Sequence, residues 1–128
     1  MIVLFWPQTD DSVGANVSVE DFLSKLKLKK KHPDLWALVR RTIEKAEKPG
    51  GLQALEDSEY LGSLRGIREP IWEFRIPPKN RRGGVVRIYF CFKRGSDCII
   101  CLDAELKKKV ESSSQKIHSA QLKYREVI

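Results

Sequence analysis

Two arginines, Arg75 and Arg87, occupy polar positions in two otherwise apolar runs, Trp72-Glu73-Phe74-Arg75-Ile76 and Val85-Val86-Arg87-Ile88-Tyr89-Phe90-Cys91-Phe92. Side chains along a strand alternate between faces. Trp72, Phe74 and Ile76, with Val86, Ile88, Phe90 and Phe92, therefore form one apolar set, and Glu73, Arg75, Arg87 and Tyr89 fall on the other. A guanidinium fork donates to two phosphate oxygens at once and never loses its charge, so two of them on neighbouring strands are suited to one phosphate. Both arginines, Arg87 above all, are expected to stand exposed on that polar face. The surroundings are basic: from Ile76 to Ser96 there are six cationic residues (Lys79, Arg81, Arg82, Arg87, Lys93 and Arg94) and no acidic one. Across the chain 24 Lys and Arg oppose 17 Asp and Glu, a formal charge of +7. Polyanions are the first partners to consider.

The elements that position these residues follow from periodicity. Ile71 to Lys109 reads as a three-stranded antiparallel meander, broken by a Pro/Asn/Gly cluster and then by Gly95-Ser96-Asp97. Ahead of it, Ile2 to Trp6 is an apolar run without alternation, as in a central strand or one covered on both faces. Pro7 to Asn16 reads as a loop. Ser18 with Asp21 forms a capping pattern for a helix bearing Val19, Phe22, Leu23 and Leu26. His32-Pro33 breaks that helix. A second one from about Asp34 carries Leu35, Leu38, Val39, Thr42, Ile43 and Ala46, and Pro49-Gly50-Gly51 ends it. Leu52 to Gly66 is expected to be a short, partly helical connection. Ser112 to Ser114 can cap a last helix with Ile117, Ala120, Gln121, Tyr124 and Ile128 at helical spacing.

The order is β, α, α, β, β, β, α in a single domain, residues 1–128, long enough to bury a core without staples. No apolar stretch approaches the roughly 20 residues of a membrane span. Met1 to Trp6 is too short for a signal-peptide core. A cytoplasmic location with no membrane partner is expected, and there the three cysteines stay reduced. Cys98 and Cys101 have C-x-x-C spacing, but on a strand they point to opposite faces and cannot share an ion. No cofactor is expected. His118 reads as a surface residue of the last helix, and His32 has no Ser or Asp constellation near it. The lysine run Lys27 to Lys31 reads as a solvated face, with sequence-independent contact to RNA as the sharper alternative.

Three stretches, Leu64 to Ile76 (L-R-G-I-R-E-P-I-W-E-F-R-I), Gly83 to Phe90 (G-G-V-V-R-I-Y-F) and Cys101 to Lys109 (C-L-D-A-E-L-K-K-K), come in an order and spacing that resemble the RelE/ParE superfamily of toxins from type II toxin–antitoxin modules. The HigB-like branch is the nearest in pattern, and the likeness covers about the second half of the chain. It implies an α+β, RelE-like fold: a small, twisted, mostly antiparallel sheet of about four strands, an N-terminal helical hairpin and a C-terminal helix. It also implies a toxin that acts as a metal-independent endoribonuclease (an mRNA interferase) on ribosome-bound messenger RNA, and a cognate antitoxin, often a helix-turn-helix DNA-binding protein.

Attack of an RNA 2′-OH on its own phosphate needs a base, positive charge for the phosphorane and a proton for the leaving oxygen. By the family's strand motifs Arg87 is the first choice for the charge and Arg75 the second. Lys107 and Lys108 match the family's lysine pair. Tyr124 stands where relatives carry a catalytic or stacking tyrosine, with core packing an equal alternative. Lys79, Arg81, Arg82, Tyr89, Lys93 and Arg94 are the expected RNA contacts. The chain departs from the better-known pattern in having Glu73 where relatives have lysines and no histidine in the meander, so Glu73 is either the base or an ion-pair partner that orients an arginine. Two other classes stay open: a ParE-like inhibitor of DNA gyrase, and an RNA- or protein-binding domain of the same fold without the chemistry.

Overall fold

The computed structural model describes residues 1–6, 19–28, 33–78, 84–107 and 114–127. The elements are β1 (Ile2–Phe5), α1 (Val19–Leu28), α2 (Pro33–Glu47), α3 (Gly51–Asp57), β2 (Leu61–Ser63), β3 (Trp72–Ile76), β4 (Val85–Phe92), β5 (Cys98–Lys107) and α4 (Ser114–Val127). The strands form one open sheet in the order β1-β5-β4-β3-β2. β1 runs parallel to β5, and every other pairing is antiparallel. The architecture is α+β, with the meander where its alternation places it.

The sheet separates two apolar clusters. On one side Phe74, Ile76, Val86, Ile88, Phe90, Ile99 and Cys101 pack against Val19, Val39, Ala46 and Leu55 from the first three helices. Phe74 and Phe90 stack there with centroids 4.5 Å apart, and burying each such ring is worth about 1.5–3 kcal/mol. On the other side Ile71, Tyr89, Cys91, Ile100 and Leu102 pack against Ala120 of α4, with Leu4, Trp6, Ile117, Tyr124 and Val127 at the margin. β1 is an edge strand, not a central one. Its unbroken apolar run serves both clusters: Val3 and Phe5 face the first, Leu4 and Trp6 the second.

α2 begins at Pro33, where a missing N–H costs nothing and the ring pre-sets the helical angle. The Leu52–Gly66 connection differs from its expected form. It holds α3 and then β2, a fifth strand of three residues on the β3 edge. Three residues centred on Gly62 are too few to show alternation. Gly50 turns the chain between α2 and α3 in the left-handed region, at φ 73°, where glycine carries no steric penalty. Residues 29–32, 79–83 and 108–113, with the Pro7–Asn16 loop, the Ser18 cap and Ile128, lie outside the described residues, so a helical hairpin is not described as a unit. Among the described residues, no helix is long and apolar enough to cross a membrane.

Candidate functional site

Direct cross-strand pairing builds the polar part of the second face. Glu73, Tyr89 and Asp103 lie side by side on β3, β4 and β5, and Arg75, Arg87 and Glu105 form the next row. Laterally paired residues point the same way. A bulge makes this possible: Tyr89 pairs with Asp103 while Phe90 pairs with Cys101, so Leu102 is an extra residue on β5. Without it the alternation that sends Ile100 to this face would send Asp103 and Glu105 to the other one.

Glu73 ties the two arginines together. Its Oε1 accepts from Arg75 Nε at 2.9 Å and from Arg87 Nη1 at 3.0 Å. The expected cross-strand arginine pair is therefore present, and Glu73 acts in it as an orienting partner. The two guanidinium groups differ in access. The Arg87 side chain keeps 8% of its surface and Arg75 34%. This corrects the expectation for Arg87, which is a buried ion-pair residue; Arg75 holds the accessible charge. Tyr89 is also corrected: it is fully buried, and its hydroxyl donates to Glu105 Oε2 at 2.6 Å. No face of its ring is open to a base.

The other expected contacts are dispersed. Lys107 is half-buried at the end of β5, paired with Val85, about 7 Å along the strand from Glu105. Lys93 and Arg94 are exposed in the β4–β5 turn. They lie at the far end of β4, about 20 Å from Arg87 at the rise of a strand. Tyr124 packs, partly buried, against the α4-side cluster, and among the described residues it has no hydrogen bond to the arginine pair. Lys79, Arg81, Arg82 and Lys108 lie outside the described residues.

A second charged group, not foreseen from the sequence, pins α4 to the sheet. Asp103 accepts from Lys123 at 3.1 Å and from Lys116 at 3.4 Å, and the Lys123 ammonium sits 4.7 Å from the Trp6 ring centroid, within cation–π range. Burial pushes the Asp103 carboxyl up, but a hydrogen bond to Ser119 and the Lys123 charge outweigh it and hold the carboxyl below its usual range. At the same helix Glu69 is lowered by its bond from Gln121 and, further, by Arg125. No sequence signal pointed here: in α4 Leu122 is 47% exposed while its neighbour Lys123 is buried, so an apolar stripe read from hydropathy alone omits the lysine.

Cys91, Cys98 and Cys101 are buried, unpaired thiols. Cys101 belongs to the first cluster and Cys91 to the second, and burial raises the thiol pKa of both, that of Cys91 to about 11. Among the described residues, no group of three His, Cys, Asp or Glu is placed to hold a metal ion. Comparison with protein-family models, with curated proteins and with solved structures returns no match.

Proposed function

We propose that this chain is a RelE-like toxin of a type II toxin–antitoxin module, acting as an endoribonuclease on ribosome-bound messenger RNA. The observation that carries the reading is the Arg75–Arg87 pair locked on one carboxylate, with the outer guanidinium left accessible. A substrate phosphate meets Arg75, whose planar fork stabilises the dianionic phosphorane. Arg87 does not touch the substrate; it holds Glu73, and Glu73 fixes the plane of Arg75. Lys107, two positions beyond Glu105 on β5, supplies a further positive charge at the same end of the face. The partners in this reading are a cognate antitoxin, the ribosome and messenger RNA.

One finding favours a second reading. Burial of Arg87 and Tyr89 takes two expected chemical groups out of contact with substrate, as suits a ParE-like gyrase inhibitor or a binding domain of the same fold. Induced expression in a bacterium, with primer extension on an abundant message, separates them. In-frame cuts confined to translated messages support the nuclease. Growth arrest with intact RNA supports the gyrase-type inhibitor, and the absence of arrest supports a binding domain.

A further inference from the structure

The sheet edge beside Arg75 holds a feature that the cleavage reading leaves unused. β2 is only three residues long, and an open polar cleft of about 540 Å³ runs along it, lined by Glu56, Gly62, Ser63, Arg65, Trp72 and Arg75 among others. Arg75 enters this cleft in a fixed pose. Its Nε is tied to Glu73, and its Nη2 lies 2.8 Å from where a Cβ on residue 62 would stand. Gly62 is not among the positive-φ glycines, so its backbone does not require glycine. What the missing side chain supplies is room, letting the guanidinium lie across the β2 backbone. Among the described residues, no acceptor engages Nη1 or Nη2 of Arg75, so the whole amino fork is available to a ligand.

The remaining lining has the chemistry of a ribonucleotide site. Arg65 is exposed and cationic, Ser63 is an exposed hydroxyl, and Glu56 is an exposed carboxylate at the rim. Trp72 also borders this space, but its ring turns to the other face of β3, against the first cluster and Phe92. Cationic side chains along an open groove track a nucleic-acid backbone without reading its sequence. The charge balance selects among anions. Glu73 is already committed to the arginines, and Glu56 disfavours a free phosphate dianion while accepting from ribose hydroxyls.

We propose that this cleft is a subsite for one ribonucleotide of single-stranded RNA. Arg75 grips its phosphodiester at the cleft mouth, Arg65 adds a second positive charge to the same phosphodiester, and Gly62 keeps the floor open. The inference rests on the RNA reading above and adds a location for the nucleoside flanking the bound phosphate.

The test is an NMR titration of the full-length, 15N-labelled chain with the diribonucleotide UpU and, separately, with inorganic phosphate. The expected result is a set of UpU-induced shifts centred on the Gly62, Ser63 and Arg65 amides and the Arg75 Nε–H. Gly62→Ala, which displaces the Arg75 fork, and Arg65→Ala, at an exposed position, are each expected to weaken UpU at least fivefold. Their amide spectra elsewhere should be unchanged. Shifts that map elsewhere or do not occur, or wild-type affinity in both variants, would overturn the subsite. So would phosphate alone reproducing the whole pattern, since the cleft would then be a bare anion site. UpU seated here with no messenger cleavage in cells would remove the nuclease reading and keep the subsite; cleavage with UpU shifts elsewhere would do the reverse.

Discussion

Arg87→Ala separates the structural role of this arginine from a chemical one. Glu73 and Arg87 keep only 5% and 8% of their side-chain surface, and removing one partner of a buried ion pair costs about 3–5 kcal/mol, because the other charge stays buried. Arg75 is one-third exposed, so its own pair with Glu73 is screened and worth about 1 kcal/mol or less. Arg75→Ala is therefore expected to fold almost as well as the parent chain. At about 4 °C per kcal/mol for a domain of this size, Arg87→Ala should lower Tm by roughly 12–20 °C. Urea unfolding followed by circular dichroism gives the free energies directly, and an unchanged m-value confirms that the native state is compared with a similar denatured one. The double variant Glu73→Gln with Arg87→Met, which removes both charges, is expected to recover a large part of the loss. Arg87→Ala within about 1 kcal/mol of the parent would refute the reasoning. The same numbers govern any toxicity assay: loss of toxicity in Arg87→Ala reports unfolding, whereas loss in a folded Arg75→Ala reports chemistry.

The Asp103 carboxyl, held below its ordinary value near 3.9 by Ser119 and Lys123 against the opposing effect of burial, stabilises the fold above that pH and loses its contribution as the pH falls through the lower folded value. Acid unfolding monitored below about pH 4 should therefore be less steep in Asp103→Asn; an identical acid limb would count against this pairing. Gly51→Ala should be among the most damaging changes in α3, because Gly51 is buried and its Cβ would run into the Lys45 carbonyl oxygen. Backbone cannot yield there cheaply, so a cost of about 3 kcal/mol is expected by chemical denaturation. The Cys91 thiol, with its pKa raised to about 11 by burial, and the fully buried Cys101 should resist iodoacetamide at pH 8 in the native protein and react once it is unfolded in urea. Rapid native alkylation of either would show that the sheet opens there.

Alternation in Trp72–Ile76 and Val85–Phe92 was enough to place the meander, its apolar face and the Arg75–Arg87 pair, since a two-residue period leaves one register once one face is buried. Exposure was not legible. Alternation tells which face a residue is on, whereas burial depends on what lies across from it, and the carboxylates opposite Arg87 and Tyr89 come from β5. There Cys98 to Leu102 is continuously apolar, and the phase that brings Asp103 and Glu105 beside the arginines depends on the Leu102 bulge, which sequence period cannot reveal. β2 was hidden by its length, and Lys123 by its charge, which assigns it to solvent in any hydropathy reading.

The buried charges make better sense as positioning devices than as sources of stability. A layer of well-packed apolar residues at 73, 87 and 105 would hold three strands together at least as firmly, because desolvation offsets most of what a buried ion pair gains. What the charged layer adds is direction. A flexible arginine at position 75 would otherwise sample many rotamers, and fixing it costs about 2 kcal/mol of side-chain entropy. Here that ordering precedes any ligand. Arg87 is confined by burial, Glu73 is confined by Arg87, and the Arg75 guanidinium is fixed by Glu73 through Nε, leaving its amino fork over Gly62. Gly62 completes the arrangement from the neighbouring strand, since any side chain there would occupy the place of the fork. The Arg75 guanidinium at this edge is thus held in one orientation, a geometry that can discriminate a bound phosphodiester by direction and not by charge alone.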